Sequence, residues 1–331
     1  KMGEVSYTNV FVDGTKIEAN ANKYSFVWAK AVEKYLNRLE EKIEMETQRI
    51  AWLYCLRADL SFEELLAALM QMATLQGIEF VHGKGKCKTP LQRDIETLIA
   101  YGDKRHDYIE SLRIAGKRKS YSKTDTDATF MRMKEDYMHN GQLKPGYNVQ
   151  IAVDSEYIVG VGLFPNPTDT TTLIPFMERI QRGSGIMIQN LVADAGYASE
   201  ENYTYLEQHG QNAYIKPQNY EISKTRKYKN DRYRPEHMPY DAEQDAYTCP
   251  NGKKLQYAYT SKYKSVNGYE TNRKVYKCET CEGCPYRSEC HTSRFDRKIR
   301  VSHKLQKQNR QARERITTEQ GILLRMNRSI H

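Results

Sequence analysis

No run of apolar residues in this sequence approaches the ~20 that a membrane-spanning helix needs, which argues against an integral membrane protein. The N-terminus, Lys1-Met2-Gly3-Glu4, lacks the apolar core of a signal peptide, so no secretory leader is visible. Position 1 also lacks a methionine, and we therefore expect the sequence to begin inside a longer protein.

Leu and Ile are scarce between residues 217 and 293, a stretch that is rich in Tyr and Lys. A domain with so few aliphatic side chains would struggle to fold by hydrophobic burial alone, which favours a structural metal. The same stretch holds five of the seven cysteines. An odd total with Cys-x-x-Cys-x-x-Cys spacing is typical of a thiolate metal site in a reducing cytoplasm, and not of a secreted disulfide framework.

Four of these cysteines match the spacing of a tetrahedral zinc site. The predicted ligands are Cys249, Cys281, Cys284 and Cys290. A closed site of four thiolates has no open position, so we expect this Zn²⁺ to stabilise its module and not to catalyse. Cys278 or His291 could replace one ligand, and the alternative is a set of free structural cysteines.

Basic residues outnumber acidic ones by 51 to 42, which gives the 331 residues a formal net charge of +9. Long-range attraction and counterion release make such a protein favour polyanions. We predict that four cations in the Lys- and Tyr-rich stretch 216–240 contact DNA phosphates without reading the base sequence: Lys227, Lys229, Arg232 and Arg234. For any one of them, an ordinary solvated surface position is the alternative.

Hydrophobic periodicity divides the chain into helical and extended parts. Within residues 24–115, apolar residues recur at intervals of three and four, and Ser61 and Glu64 form a capping box at one helix start. Another helix is predicted from about Pro90 to Ala115. Over residues 147–164 the period changes to two, which predicts a β-hairpin.

Asp13 and Asp194 each follow a short apolar strand, Val-Phe-Val and Leu-Val-Ala respectively. If these strands are parallel neighbours, the two carboxylates project into one crevice at the edge where α/β sheets bind ligands. Like charges held close together need a counter-charge, and divalent ions with oxygen ligands supply one for phosphodiester displacement. The alternative is that each aspartate simply ends a strand.

Four segments of the chain resemble, in order, segments of bacterial insertion-sequence transposases. They are residues 13–23, which begin Asp-Gly-Thr-Lys-Ile-Glu, 144–154, 166–169 and 192–197. Together they are similar to the DDE-type transposases of the IS1182 family, related to the IS4/IS5 group. The resemblance spans nearly the whole chain.

The resemblance implies an α/β fold with a ribonuclease-H-like mixed sheet core, an α-helical insertion and a Cys-rich zinc-binding insertion. It implies a metal-bound acidic triad that uses Mg²⁺ or Mn²⁺ to cut and join DNA 3′ ends, with Asp13 as the first acid and Asp194 as the second. The implied partners are double-stranded DNA, at transposon ends and target, and a second copy of the chain on DNA. The implied location is the bacterial cytoplasm, in association with the nucleoid.

The third acid of the family follows a segment that resembles residues 321–330, and the sequence ends at His331. We therefore expect a chain that is truncated before this acid and has an incomplete active site. Glu314 and Glu319 are weak substitutes. The alternatives to a transposase fragment are a catalytically dead DNA-binding remnant and a metal-dependent nuclease.

The resulting domain prediction has five parts. Residues 1–23 form the first core strand, 24–120 the helical insertion, 121–216 the remainder of the core, 217–293 the zinc-binding insertion, and 294–331 a basic helical segment.

Overall fold

The computed structural model describes residues 5–83, 85–133 and 141–328. The chain forms two compact units. We call residues 1–17 with 148–331 the sheet unit, and residues 18–147 the helical unit. In the ranges described, no helix is both long and apolar enough to cross a membrane.

The elements are numbered in chain order. The strands are β1 (Asn9–Glu18), β2 (Phe26–Trp28), β3 (Ser120–Ser122), β4 (Thr129–Arg132), β5 (Leu143–Asp154), β6 (Tyr157–Phe164), β7 (Asn190–Ala193), β8 (Asn212–Ile215), β9 (Tyr240–Asp241), β10 (Ala246–Thr248), β11 (Lys254–Lys264), β12 (Glu270–Cys278) and β13 (Lys298–Val301). The helices are α1 (Ala29–Leu53), α2 (Phe62–Leu75), α3 (Pro90–Ala115), α4 (Leu173–Ser184), α5 (Glu200–Gln208), α6 (Arg226–Asn230), α7 (Arg287–Cys290), α8 (His303–Thr317) and α9 (Glu319–Asn327).

The main sheet of the sheet unit has the order β6-β5-β1-β7-β8. Strands β1, β7 and β8 run parallel, and β5 and β6 form an antiparallel hairpin whose turn has Ser155 and Glu156 at positive φ. The hairpin predicted from the alternating pattern is therefore confirmed. The mixed sheet also confirms the predicted α/β class.

Both faces of this sheet are covered. On one face, Val10, Val12 and Leu191 pack with α4, α5 and α8 in the largest apolar core of the unit. Helix α4 contributes the four side chains that its helical period places on one stripe, Leu173, Phe176, Met177 and Ile180. On the opposite face, Leu324 of α9 packs against residues of β1, β7 and β8.

Strand β1 is longer than the sequence pattern predicts. The short apolar run suggested an end at Asp13, but the strand continues to Glu18. Strand β7 pairs with it only from Asn9 to Val12, while β5 lies along its other edge. Asp13 therefore stands inside a strand, at the point where the parallel partner ends.

The helical unit contains α1, α2 and α3, which bury a shared apolar cluster that includes Ile50, Leu69 and Leu98. Its predicted capping box is confirmed, because Ser61 and Glu64 each accept a hydrogen bond from the other's backbone. The predicted bounds of α3 are also confirmed. The short strands β2 and β3 pair in this unit, and β4 pairs with the first residues of β5.

A second sheet in the sheet unit is antiparallel, in the order β13-β12-β11-β10-β9. Four of its five strands, β9 to β12, come from the stretch that is poor in Leu and Ile. Its buried cluster relies on tyrosine and thiol groups, with Tyr247, Tyr276, Cys278 and Cys281 among its members. Aromatic area thus replaces much of the missing aliphatic area.

Asp245 is the polar anchor of this second sheet. Its carboxylate accepts hydrogen bonds from the hydroxyls of Tyr240 and Tyr276 and from the Lys274 ammonium, each at 2.7 Å. The Lys274 hydrogen bond, aided by the two tyrosines, lowers the pKa of Asp245 to about 2. Charge-assisted hydrogen bonds of this kind stabilise the folded state while the carboxylate is ionised.

We expect Asp245→Asn to lower the free energy of unfolding by about 2 kcal/mol at pH 7, because the ionised carboxylate is lost. A lowered folded-state pKa stabilises above the unfolded value and loses its effect as the pH falls towards about 2. The difference from the parent chain should therefore shrink between pH about 4 and about 2. Urea unfolding followed by far-UV circular dichroism measures it, since both tryptophans, Trp28 and Trp52, lie in the helical unit.

The matched control is Glu236→Gln, an exposed carboxylate of the same unit, which should leave stability nearly unchanged. An Asp245→Asn difference that stayed constant from neutral to acid pH would contradict the assigned electrostatic role.

Candidate active site

The alternation of side chains along β1 and β7 decides which residues reach the site. Phe11 and Asp13 lie on one face of β1. Val192 of β7 and Asp194, the residue that follows β7, continue the same alternation. Val12 pairs with Ala193 in the parallel register. The residues that come next, Asp13 and Asp194, therefore lie side by side, as the sequence pattern predicted.

Helix α9 covers the face on which the two aspartates lie. Leu324 packs on Phe11, Val192 and Tyr214. Arg328 follows Leu324 by four residues, the spacing that places two side chains on the same side of a helix.

The guanidinium of Arg328 links both aspartates. Its Nη2 atom lies 3.2 Å from Asp13 Oδ1 and 3.8 Å from Asp194 Oδ2. The distance between the two carboxylate oxygens therefore cannot exceed the sum of these two distances. Asp13, Arg328, Ile151 and Val153 line a cavity of about 180 Å³.

A third carboxylate, Asp169, lies at the same edge of the sheet, although the sequence pattern did not single it out as a site residue. Its Oδ1 atom accepts hydrogen bonds from the side-chain amides of Asn148 (2.8 Å) and Gln150 (3.1 Å). The hydroxyl of Tyr197 donates to Gln150 at 2.5 Å. A signal was present in the sequence, because Asn148 and Gln150 are polar residues within an apolar strand, and both are fully buried.

Two glycines lie within this polar network. A Cβ atom on Gly14 would lie 2.5 Å from Gln150 Nε2 and 2.8 Å from Asp169 Oδ1. A Cβ on Gly196 would lie 2.9 Å from Asp194 Oδ1 and 3.1 Å from Asp169 Oδ2. The carboxylates of Asp169 and Asp194 thus both lie close to the backbone of Gly196. Both glycines are needed for this close approach, because neither carries a Cβ atom.

Burial, followed by the charges of Asp169, Asp13 and Asp194, raises the pKa of Tyr197 far above its ordinary value. Tyr197 therefore remains a neutral hydrogen-bond donor to Gln150 at any physiological pH. The amide of Gln150 is in turn oriented towards Asp169, which fixes that carboxylate.

Of the two weak substitutes considered from the sequence, Glu319 lies away from the pair. Glu319 begins α9 while Arg328 follows its end, so a rise of 1.5 Å per residue separates them by about 13 Å along the axis. Glu314 is an exposed residue of α8. Across the described ranges, no group of three or more His, Cys, Asp or Glu side chains is placed to hold a metal ion.

The paired aspartates nevertheless suit a divalent cation. Carboxylate oxygens are the ligands that Mg²⁺ and Mn²⁺ prefer. The position between them already attracts a positive group, the guanidinium of Arg328. The donor chemistry therefore fits the metal that the resemblance implies.

The predicted zinc ligands are brought to one place. Cys249, Cys281, Cys284 and Cys290 line a cavity of about 20 Å³, and Cys278 and His291 line it as well. Burial, and then the neighbouring Cys281, raises the pKa of the Cys278 thiol to about 12. The ligand geometry of a zinc site is not present among the described residues.

The four predicted DNA-contacting cations differ in their surroundings. Lys227 and Lys229 are exposed on α6, and the guanidinium of Arg232 stacks on the ring of Tyr286. Arg234 is half-buried, pairs with Asp231 at 3.1 Å and lies over the ring of Tyr228. Arg234 therefore has a structural role that the sequence pattern did not reveal.

We expect Gly14→Ala to destabilise the sheet unit by about 1–3 kcal/mol, because the new methyl group overlaps buried side chains that have no room to move. The matched control is Gly183→Ala in α4, where a Cβ would meet open space and alanine favours the helix. Urea unfolding followed by circular dichroism compares the two variants. Equal free energies of unfolding for the two variants would show that the polar network can move to accommodate the added methyl group.

Two family models match this chain, and each is described as a Transposase DDE domain. One matches residues 118–280, which include Asp169 and Asp194, and the other matches residues 248–331, which include Arg328. Asp13 lies outside both ranges. The comparisons with curated proteins and with solved structures found no match. Over residues 118–331 the chain is therefore similar to transposase DDE domains, and its mixed sheet is consistent with a ribonuclease-H-like domain.

Proposed function

We propose that this chain is the catalytic region of a DDE transposase of the IS1182 kind, in which Asp13 and Asp194 bind the divalent ions used for DNA strand cleavage and transfer. The observation that carries the proposal is the pairing of these two carboxylates around one cation, on neighbouring parallel strands. The family matches support the same class of protein.

In this proposal the residues of the chain do two things. Asp13 and Asp194 bind Mg²⁺ or Mn²⁺ at the open edge of the sheet, where more than a third of each side chain is exposed. Asp169, Gln150 and Tyr197 keep the backbone around Gly14 and Gly196 in place beneath them. Bound divalent ions would polarise a scissile phosphodiester and activate first water, then a DNA 3′-OH, as nucleophile.

The proposed partner is double-stranded DNA, at transposon ends and target, with a second copy of the chain bound to the same DNA. The exposed Lys227, Lys229 and Arg232 would contact phosphates, while Arg234 would act through its packing on Tyr228. Because the substrate is chromosomal DNA, we propose a cytoplasmic, nucleoid-associated protein.

We expect Asp13→Asn and Asp194→Asn each to weaken Mn²⁺ binding by about tenfold or more, because each variant removes one of two ionised ligands. Electron paramagnetic resonance of free Mn²⁺ during a titration measures the dissociation constant. The control is Glu178→Gln, an exposed carboxylate of α4, which should change nothing. Unchanged Mn²⁺ binding in both aspartate variants would refute the proposed metal site.

The reaction itself separates the three candidate functions. The chain is incubated with DNA that carries the flanking ends of its own coding locus, with Mg²⁺ or Mn²⁺. Joined strands that disappear in Asp13→Asn support the transposase. Nicks alone favour a metal-dependent nuclease. A salt-sensitive complex without cleavage favours a DNA-binding remnant, and it is the outcome expected while only two acids of the triad are assigned.

We further propose that Cys249, Cys281, Cys284 and Cys290 bind a structural Zn²⁺. The support is their common cavity, whose size is near that of one water molecule. The second sheet also has a core with few aliphatic side chains, so a metal that cross-links the four cysteines would stabilise its fold.

We expect the purified chain to contain about one equivalent of zinc, and Cys284→Ser to lose it and to unfold at a lower urea concentration. Mass spectrometric metal analysis measures the content. Cys87→Ser, an exposed cysteine of the helical unit, is the control and should retain the metal. Less than about half an equivalent in the parent chain would count against the site.

A further inference from the structure

We propose that Arg328 is a built-in competitor for the metal position: its guanidinium binds Asp13 and Asp194 together and must leave them when a divalent ion binds. This inference rests on the proposed function. Its basis is that one nitrogen atom, Nη2, lies within 3.2 Å of one carboxylate and 3.8 Å of the other. A cation ligated by both carboxylates would need the same space.

The burial of Arg328 distinguishes this contact from an ordinary surface ion pair. Only 25% of its side chain is exposed, against 59% for Asp13 and 40% for Asp194. The Nε atom of Arg328 is buried and has no hydrogen-bond partner within the described residues. Since an unpaired buried donor is unfavourable, the attraction of two adjacent carboxylates must outweigh that cost.

The attachment of Arg328 permits exchange without unfolding the helix. The body of α9 is fixed, because Leu324 is buried and Gly321 packs so closely on α8 that a Cβ would overlap the Arg315 carbonyl oxygen. Arg328 lies just beyond the last residue of α9, Asn327. Its long side chain therefore moves while the backbone that carries it stays in place.

The exchange couples metal binding to DNA binding. While Arg328 contacts the carboxylates, its charge is neutralised and the site is closed to a second cation. When a divalent ion binds, the guanidinium is released beside the site, and its fork of donors suits a phosphate group. The same residue thus disfavours metal in the DNA-free chain and favours phosphate once metal is bound.

The first test is a Mn²⁺ titration, followed by electron paramagnetic resonance, of the parent chain, Arg328→Gln and Arg310→Gln. We expect Arg328→Gln to bind Mn²⁺ about tenfold more tightly, a typical size for coupling between two ligands. Arg310, an exposed residue of α8, controls for the loss of one positive charge and should change the affinity little. Equal affinity in the parent chain and Arg328→Gln would overturn the inference alone, and no Mn²⁺ binding in either would overturn the proposed function as well.

The second test uses no metal. Arg328→Gln leaves two adjacent carboxylates without a counter-charge, so it should lower the melting temperature measured in EDTA. In an Asp13→Asn background the same change should have a smaller effect, which a double-mutant cycle reveals. Additive effects would overturn the inference. If Arg328→Gln does not fold, Arg328→Lys, which retains the charge but loses the forked geometry, should bind Mn²⁺ more tightly than the parent chain, and equal affinity would overturn the inference.

Discussion

Strands β1 and β7 run parallel with Val12 opposite Ala193, and this register determines the direction of the side chains that follow. A slip of one residue would place Asp13 in the apolar core and Val12 at the site, because successive side chains alternate between faces. The buried positions Val10 and Val12 on one side and Phe11 on the other hold the register. Hydrophobic packing on both faces of the sheet thus fixes the distance between two like charges.

The two adjacent carboxylates repel each other. A positively charged residue from the opposite end of the sequence offsets that repulsion. Arg328 is brought to Asp13 by α9, whose Leu324 packs on the same sheet face as the aspartates. The fold therefore places an apolar anchor and a cation one helical turn apart. Asp169, by contrast, accepts hydrogen bonds from the neutral amides of Asn148 and Gln150, and Gln150 in turn accepts one from Tyr197. In the proposed function, Asp13 and Asp194 are the carboxylates that bind the metal.

The sequence allowed the aspartate pair, the α/β class, the capping box at Ser61 and the bounds of α3 to be predicted, because each depends on a local pattern. It did not reveal Asp169 or Arg328 as members of the site, since their roles arise from contacts with residues that are distant in the chain. Strand β1 was predicted too short for a similar reason, because its neighbour β5 is distant in the sequence and is not visible in the local apolar pattern. The metal ligands, the zinc site and the DNA contacts stay predictions.

The polar residues of β5 show why such a site is hard to infer from composition. Asn148 and Gln150 are more deeply buried than Ile151 and Val153, so the usual reading of alternation, with apolar side chains inside, is reversed at this edge. A buried amide is unfavourable unless every donor and acceptor is paired, and here Asp169 and Tyr197 complete the pairing. Gly14 is the structural counterpart of this network, because the amide and the carboxylate occupy the volume of its missing side chain. Strand β1, which carries Asp13, thus depends on Gly14 and on the polar cluster next to it. Substitutions at those positions would displace Asp13 although Asp13 itself is unchanged.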